Sequence, residues 1–283
     1  GFRTVMYAIR ARDVGHLEFA GVGIDGVESV SGTLDTRARG RLSISDAHLR
    51  IDDGHVVAGG DETLAENLTL DTRMDVAPYV PTEHRETGPL PFMTGRVDLS
   101  GRLGDLSVLT MFFRNTPMLD FEGGRATVAG TVAVESGRVV DPTDLTISEA
   151  TYAVRYLDDV IATGTGRILA GRATAADGEV VRFELETFEL ARPEARVAYA
   201  EGRDLTVRVL ADRLDLRDVR DEVEIVVDIP SAQILDLGAF DAYLPATSRM
   251  RLVAGIGRLT SRLDLDLRTD SGAASLQLEA DDA

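Results

Sequence analysis

Val181-Arg182-Phe183-Glu184-Leu185-Glu186 alternates apolar and charged side chains at every step. Successive side chains of an extended chain point to opposite faces, so this run puts its apolar set on one side and its charges on the other. Leu205-Thr206-Val207-Arg208-Val209 and Leu263-Asp264-Leu265-Asp266-Leu267-Arg268 repeat the pattern, and weaker versions run through residues 41–45, 96–101, 125–135, 151–156 and 222–229. Turn-forming groups stand between them at hairpin spacing: Asp53-Gly54, Glu122-Gly123-Gly124, Ser136-Gly137 and Asp177-Gly178. The pattern predicts an all-β, mainly antiparallel chain. Where the apolar phase flips within a run, between Ile44 and Leu49 or between Val209 and Leu214, a bulge or corner is expected, and with it a long, bent strand.

Only two segments carry helical spacing. Asp105 to Asn115 places Leu106, Leu109, Phe112 and Phe113 on one face and stops before Pro117; Ser231 to Tyr243 does the same with Ile234, Leu235, Leu237 and Phe240 and stops before Pro245. Each precedes a strand-like stretch, residues 125–130 and 250–255, so helix and strand recur about 125 residues apart. The expected organisation is one continuous segment, 1–283, containing two repeat units of about 1–135 and 136–283. Ala77 to Pro91, with four prolines, is the least regular stretch and reads as a linker or lip.

The 283 residues are 44% hydrophobic and 28% charged, the composition of a folded chain and not of a disordered one. Against 48 acidic residues stand 30 basic ones, all arginine, and the net charge of −18 repels phosphate backbones, so nucleic acid is not an expected partner. Cysteine is absent, which removes disulfides, thiolate metal sites and thiol nucleophiles. Gly21-Val22-Gly23-Ile24-Asp25-Gly26 satisfies the dinucleotide-binding pattern, but Val27 to Leu34 after it reads as strand, whereas pyrophosphate binding needs a helix N-terminus there. His16, His48, His55 and His84 fall at no metal-ligand spacing; His48 and His55 flank Asp52-Asp53-Gly54, which reads as a surface turn. The acidic groups Asp218, Asp221, Glu222 and Glu224, and Asp281-Asp282, lack the ligand spacing of a calcium loop. Serine-hydrolase elbow, phosphate loop and zinc-protease helix are missing. The expectation is a chain that is not an enzyme, with no catalytic residue, metal or cofactor.

An amphipathic sheet must cover its apolar face. With so few helices the choices are a sandwich, a barrel or an open trough, the sandwich being the commonest. The inward set nominated by alternation is Leu42, Ile44, Val97, Leu99, Val128, Val132, Val134, Val181, Phe183, Leu185, Leu205, Val207, Val209, Leu263, Leu265 and Leu267. Aromatics make up 5% of the chain and tryptophan is absent, so this wall suits disordered acyl chains better than a rigid ligand.

Asp98-Leu99-Ser100-Gly101-Arg102-Leu103-Gly104-Asp105 leading into a short helix is one of three stretches that resemble the AsmA-like family, the group of TamB- and YhdP-type proteins. The others are Arg41-Leu42-Ser43-Ile44-Ser45-Asp46-Ala47 with the Asp52-Asp53-Gly54-His55 turn after it, and Asp241-Ala242-Tyr243-Leu244-Pro245 before Gly255-Ile256-Gly257-Arg258-Leu259. The resemblance is one of style over the whole chain and carries no catalytic residues. It implies a curved, groove-like β-sheet of repeated units that binds phospholipid acyl chains and conducts phospholipids between the inner and outer membranes of diderm bacteria. The chain would be the periplasmic segment of an inner-membrane-anchored protein, with envelope proteins of the two membranes as partners. It departs from the family in its strong acidity and in showing no anchor: no apolar run approaches about 18 residues, and Gly1 to Met6 lacks the layout of a signal peptide. A segment of a longer protein is therefore expected. The alternative expectation is a surface or secreted β-sandwich or solenoid with a structural or adhesive role, which would share the strands and the acidity.

Overall fold

The computed structural model describes all residues except 1–4, 20–21, 38–39, 59–61, 85–87, 108–118, 157–159, 172–177, 194–196, 212–222, 244–250, 252, 270 and 282–283. The chain is all-β. Its strands are β1 (Val5–Phe19), β2 (Val22–Arg37), β3 (Arg41–Ala58), β4 (Glu62–Tyr79), β5 (Met93–Leu103), β6 (Leu119–Glu135), β7 (Arg138–Tyr156), β8 (Val160–Gly171), β9 (Glu179–Ala191), β10 (Ala198–Leu210), β11 (Glu224–Ile234), β12 (Ile256–Asp266) and β13 (Ser271–Asp281). All thirteen form one antiparallel sheet in which each pairs with its neighbours in sequence, in the order β1 to β13. The sheet curves but does not close, since β1 pairs only with β2 and β13 only with β12 among the described residues. At these edges Met6, Ile9 and Leu276 lie exposed.

Ser136 and Gly137, both with positive φ, make the tight hairpin between β6 and β7, the backbone that a two-residue turn between right-twisted strands requires. Asp53-Gly54 and Glu122-Gly123-Gly124 do not turn the chain as expected: they lie inside β3 and β6. Asp53 has a φ of 49°, and the β3–β4 register slips on both sides of Gly54, so the pair is a bulge. His48 and His55 consequently sit along one strand and are not folded together.

Bulges set the shape of the sheet. Asp13, Asp53 and Asn67 in β1, β3 and β4, and Glu149 and Asp204 in β7 and β10, all adopt the left-handed conformation, at φ values between 49° and 58°. An aspartate or asparagine tolerates that conformation better than other non-glycine residues. Each bulge stretches the spacing of inward residues from two to three, as from Ile51 to Gly54, Ala65 to Leu68, Ile147 to Ala150, Leu185 to Phe188 and Ile229 to Ala232. The apolar set thus stays on one face while the strand bends. In β7 to β12 the irregularities fall opposite one another, around Glu149, Thr165, Glu186, Asp204 and Pro230, so they crease the sheet along a line crossing the strands. The Asp46 bulge (φ 53°) accounts for the phase flip expected between Ile44 and Leu49. The flip expected between Val209 and Leu214 reaches into residues outside the described set.

The apolar clusters join strands that are adjacent in the sheet. Val27, Ile51 and Leu68 are packed with side chains of β1 to β4; Phe121, Ala126, Val128, Ile147, Ala150 and Tyr152 with those of β5 to β9; Phe188, Leu205, Ala232, Ile234 and Leu259 with those of β9 to β13. A two-layer sandwich would join distant strands face to face. Here burial comes from the sheet curling towards its own apolar side.

The expected helices are much reduced. Of Asp105 to Asn115 only Asp105, Leu106 and Ser107 belong to the described residues; the Asp105 carboxylate accepts from the Ser107 N–H at 2.8 Å and hydroxyl at 2.6 Å, turning the chain, and Leu106 is fully buried. Ser231 to Ile234 belong to β11 instead of a helix, because Ala232 and Ile234 continue the inward alternation opposite Leu259 and Gly257. A 3₁₀ helix, Leu237–Tyr243, follows. Of the expected strand at 250–255, the described residues 251 and 253–255 are not strand: Val253 is exposed, and β12 begins at Ile256. In the Ala77 to Pro91 region, β4 runs to Tyr79, and Tyr79 and His84 pack on Phe92 beside the 3₁₀ turn Leu90–Phe92.

Candidate functional site

Residues directly opposite each other on paired strands share a face. Gly15 faces Val27, Val27 faces Ile51, Ile51 faces Leu70 and Leu70 faces Leu99. The line continues through Gly130, Leu145, Ala170, Val181, Val209, Ile225 and Leu265 to Gly272. It takes one residue from every strand, all of them aliphatic or glycine. Two residues further along each strand a second line runs from Gly101 and Val128 through Ile147, Ile168, Phe183, Val207, Val227 and Leu263 to Ala274. A third joins Ala11, Val30, Leu49, Thr72, Val97 and Val132. One side of the sheet is therefore a continuous apolar surface crossing the strands.

The opposite side is charged. Arg208 pairs with Asp228 at 3.0 Å, and Arg262 reaches Asp228 at 3.3 Å and Asp264 at 3.0 Å, linking β10 to β12. Similar pairs are Arg50 with Glu28 at 2.6 Å, Arg167 with Glu184 at 2.5 Å, and His48 with Asp71 at 3.1 Å. On β5 the Arg96 guanidinium and the Thr131 hydroxyl both donate to Asp98, and these bonds hold its carboxyl below the usual aspartate range. Exposed pairs of this kind add little stability each. Their effect is to keep that face in water and leave the other face as the one that needs covering.

Exposure along the apolar face is uneven. Towards the end of the sheet where β5 connects to β6 and β11 to β12, it is packed shut: Phe188 is 1% exposed and Ile234 0%, and the connections bring in Leu106 at 0% and Leu237 at 4%. Odd-numbered strands run the same way, so β5 and β11 end at one end of the sheet, and Leu106 and Leu237, just past them, pack onto the same face. Tyr152 reaches across Gly164 and donates its hydroxyl to the Thr187 carbonyl at 2.9 Å, while the Phe188 ring lies over Gly202. Rings laid over glycines fill this part of the trough with the protein's own side chains. Towards the other end, both lines of side chains from β8 to β12 remain partly exposed.

The sixteen residues nominated from sequence divide accordingly. Val97, Leu99, Val132, Val181, Phe183, Val207, Val209, Leu263 and Leu265 stand partly exposed on the three lines, and Leu185 beside them opposite Leu205. Val128 and Leu205 share that face but are buried in its packed clusters. Leu42 and Ile44 face Tyr79 and Val76, and Val134 faces Gly95 and Val139, on the same side and further from Leu106 and Leu237. Leu267 lies just past β12, its N–H donating to the Val223 carbonyl at 3.1 Å. Alternation missed Ile51, Leu70, Ile147, Ile168, Ile225 and Val227. In β11 the signal was hidden by Val226, which points to the charged face yet is buried opposite Arg208 and Asp264. Leu169 is buried on that face in the same way, opposite Thr146 and Arg182.

Among the described residues no three His, Asp or Glu side chains converge as a metal site would require. The acidic group at Asp218, Asp221 and Glu222 lies outside the described residues, as does Asp282. Gly21 lies outside the described residues, and Val22 to Gly26 are part of β2, with Gly26 (φ 77°) at a bulge against β3, where a Cβ would sit 2.7 Å from the Asp52 carbonyl. No helix among the described residues is long and apolar enough to cross a membrane. No protein-family model, curated protein or solved structure matches the chain.

Proposed function

We propose that the apolar face of this sheet holds phospholipid acyl chains and that the chain conducts phospholipid between the inner and outer membranes across the periplasm. The observation that supports this reading is the apolar line that crosses all thirteen strands without a polar side chain. Moving a lipid through water exposes its chains at about 0.8 kcal/mol per CH₂, on the order of 10 kcal/mol for one chain. A curved apolar face removes most of that cost while a headgroup at the rim stays hydrated. A wall of Val, Ile, Leu and Gly has no hydrogen bonds to offer and so no deep traps, which favours sliding over tight capture. The protein would lower a barrier to movement and carry out no reaction, with direction and energy supplied by its partners.

The test is native mass spectrometry of the purified chain after incubation with vesicles of mixed phospholipids. Adducts at phospholipid masses are expected. A folded chain that takes up none overturns the proposal and leaves a structural or adhesive element.

A further inference from the structure

We propose that β13 pairs edge to edge with β13 of a second copy of the chain, antiparallel and centred on Leu276, so that the apolar side of one sheet runs on into that of the other. The proposal stands on the backbone of a sheet edge and is independent of what the apolar face holds.

An edge strand leaves every second N–H and C=O without a ladder partner, and natural sheets guard such edges with bulges, prolines or charges. β1 carries two of these guards. Its register breaks between Arg12 and Gly15, where Asp13 has a φ of 53°, and the exposed Arg10 and Arg12 flank Ala11. β13 is unguarded over most of its length. Its eleven residues pair with β12 without a register shift, it contains no proline and no basic residue, and its first charge is Glu279. Leu276, the middle residue of the eleven, is 63% exposed. Among the described residues nothing pairs with the outer edge of this strand.

Strand direction selects the partner. β1 and β13 are both odd-numbered and run the same way, so a second copy that keeps its apolar side in common presents β1 to β13 in parallel and β13 to β13 antiparallel. The antiparallel ladder is the more stable of the two. With a two-fold axis at Leu276, every residue meets one that points to the same side. On the apolar side Leu276 meets Leu276 of the second copy and Ala274 meets Leu278; on the other side Ser275 meets Gln277 and Ala273 meets Glu279. No like charges stand opposite each other in this span, whereas the same operation centred on the middle of β1 sets Arg12 against Arg12. Alternate pairs of an antiparallel ladder exchange two hydrogen bonds each, so the paired strands supply about ten, the number found in a typical protein–protein interface.

The experiment is sedimentation velocity on the whole chain over a range of concentrations, where a dimer is expected. Leu276→Lys sets two ammonium groups opposite each other and should raise the dissociation constant at least about tenfold, while Ile9→Lys, the same change at the β1 edge, should move it less than about twofold. Circular dichroism checks that each variant is folded. The chain has no cysteine of its own, so single introduced cysteines give a second readout. Two Leu276→Cys residues would stand with Cα atoms about 5 Å apart and should form an intermolecular disulfide under mild oxidation. Two Ala274→Cys residues would stand about 14 Å apart, four strand residues out of register, and should not. If Leu276→Lys does not fold, the cysteine variants decide. A chain that stays monomeric up to about 100 μM overturns the proposal. So does a dimer that survives Leu276→Lys or that Ile9→Lys weakens equally, and so does crosslinking at residue 274 as fast as at 276. Assemblies that keep growing with concentration would mean that β13 meets β1 of the next copy, and overturn it as well. None of these readouts involves lipid, so failure here leaves the acyl-chain reading in place.

Discussion

Gly202 of β10 sits under the Phe188 ring, and a single methyl group placed there measures how tightly that end of the trough is filled. A Cβ on residue 202 would lie 2.4 Å from Phe188 Cζ, 2.6 Å from Cε1 and 2.8 Å from the Ser231 carbonyl oxygen. Comfortable carbon–carbon contact is about 3.5–4.0 Å, so the ring must move by about 1 Å. It has little room, because Phe188 is 1% exposed among Leu205, Ala232, Ile234, Leu237 and Leu259. Overpacking of this kind costs about 1–3 kcal/mol, and replacing glycine by alanine returns somewhat under 1 kcal/mol of unfolded-state entropy. Gly202→Ala is therefore expected to lose about 1 kcal/mol net, or about 2–4 °C in Tm. Chemical denaturation of Gly202→Ala, Phe188→Leu and the double variant forms a cycle. Shrinking the ring relieves the ring clash but not the contact with the Ser231 oxygen, so the double variant should be more stable than the sum of the single effects by at least about 1 kcal/mol. Additivity within about 0.3–0.5 kcal/mol would refute the packing of this ring on this glycine.

Burial pushes the Tyr152 phenol well above the ordinary tyrosine range. Its folded form therefore holds the proton after the unfolded form has released it, and stability present below about pH 10 should fall as pH rises beyond it. Tyr152→Phe should flatten that alkaline decline and cost about 1 kcal/mol at neutral pH through the lost bond to Thr187, both measurable by urea denaturation at several pH values; an unchanged alkaline slope would count against a buried phenol. Arg208, on the charged face, is half-buried and bonded to Asp228. Arg208→Glu should accordingly cost about 1 kcal/mol, more than an ordinary surface change, by setting two carboxylates against each other across β10 and β11; a denaturation midpoint equal to wild type would show the pair to be idle.

The strands that carry polar residues on one side, β9, β10 and β12, were legible because arginine, glutamate, aspartate or threonine at every second position marks the wet face, and the nominated residues of those strands lie on the apolar face. β11 was recognised as a strand, but its inward residues escaped because Val226, outward and buried, erases the alternation. Asp53-Gly54 looked like a hairpin because aspartate and glycine favour the same left-handed backbone in turns and in bulges; only pairing with β2 and β4 decides between them. Ser231 to Ile234 looked helical for a related reason. Ile234 ends a strand and Leu237 begins a 3₁₀ helix, and together they mimic the spacing of one amphipathic face. The alternation pattern does not reveal the crease, which depends on bulges in separate strands falling opposite one another.

Because every strand pairs only with the strands before and after it in the chain, the sheet can assemble in the order in which its sequence emerges, each new hairpin finding a finished edge to build on. None of the thirteen described strands waits for a partner from the far end of the chain. Growth and loss follow the same rule: a hairpin inserted or removed at a turn adds or subtracts two rungs, and the apolar line runs on through the strands that remain.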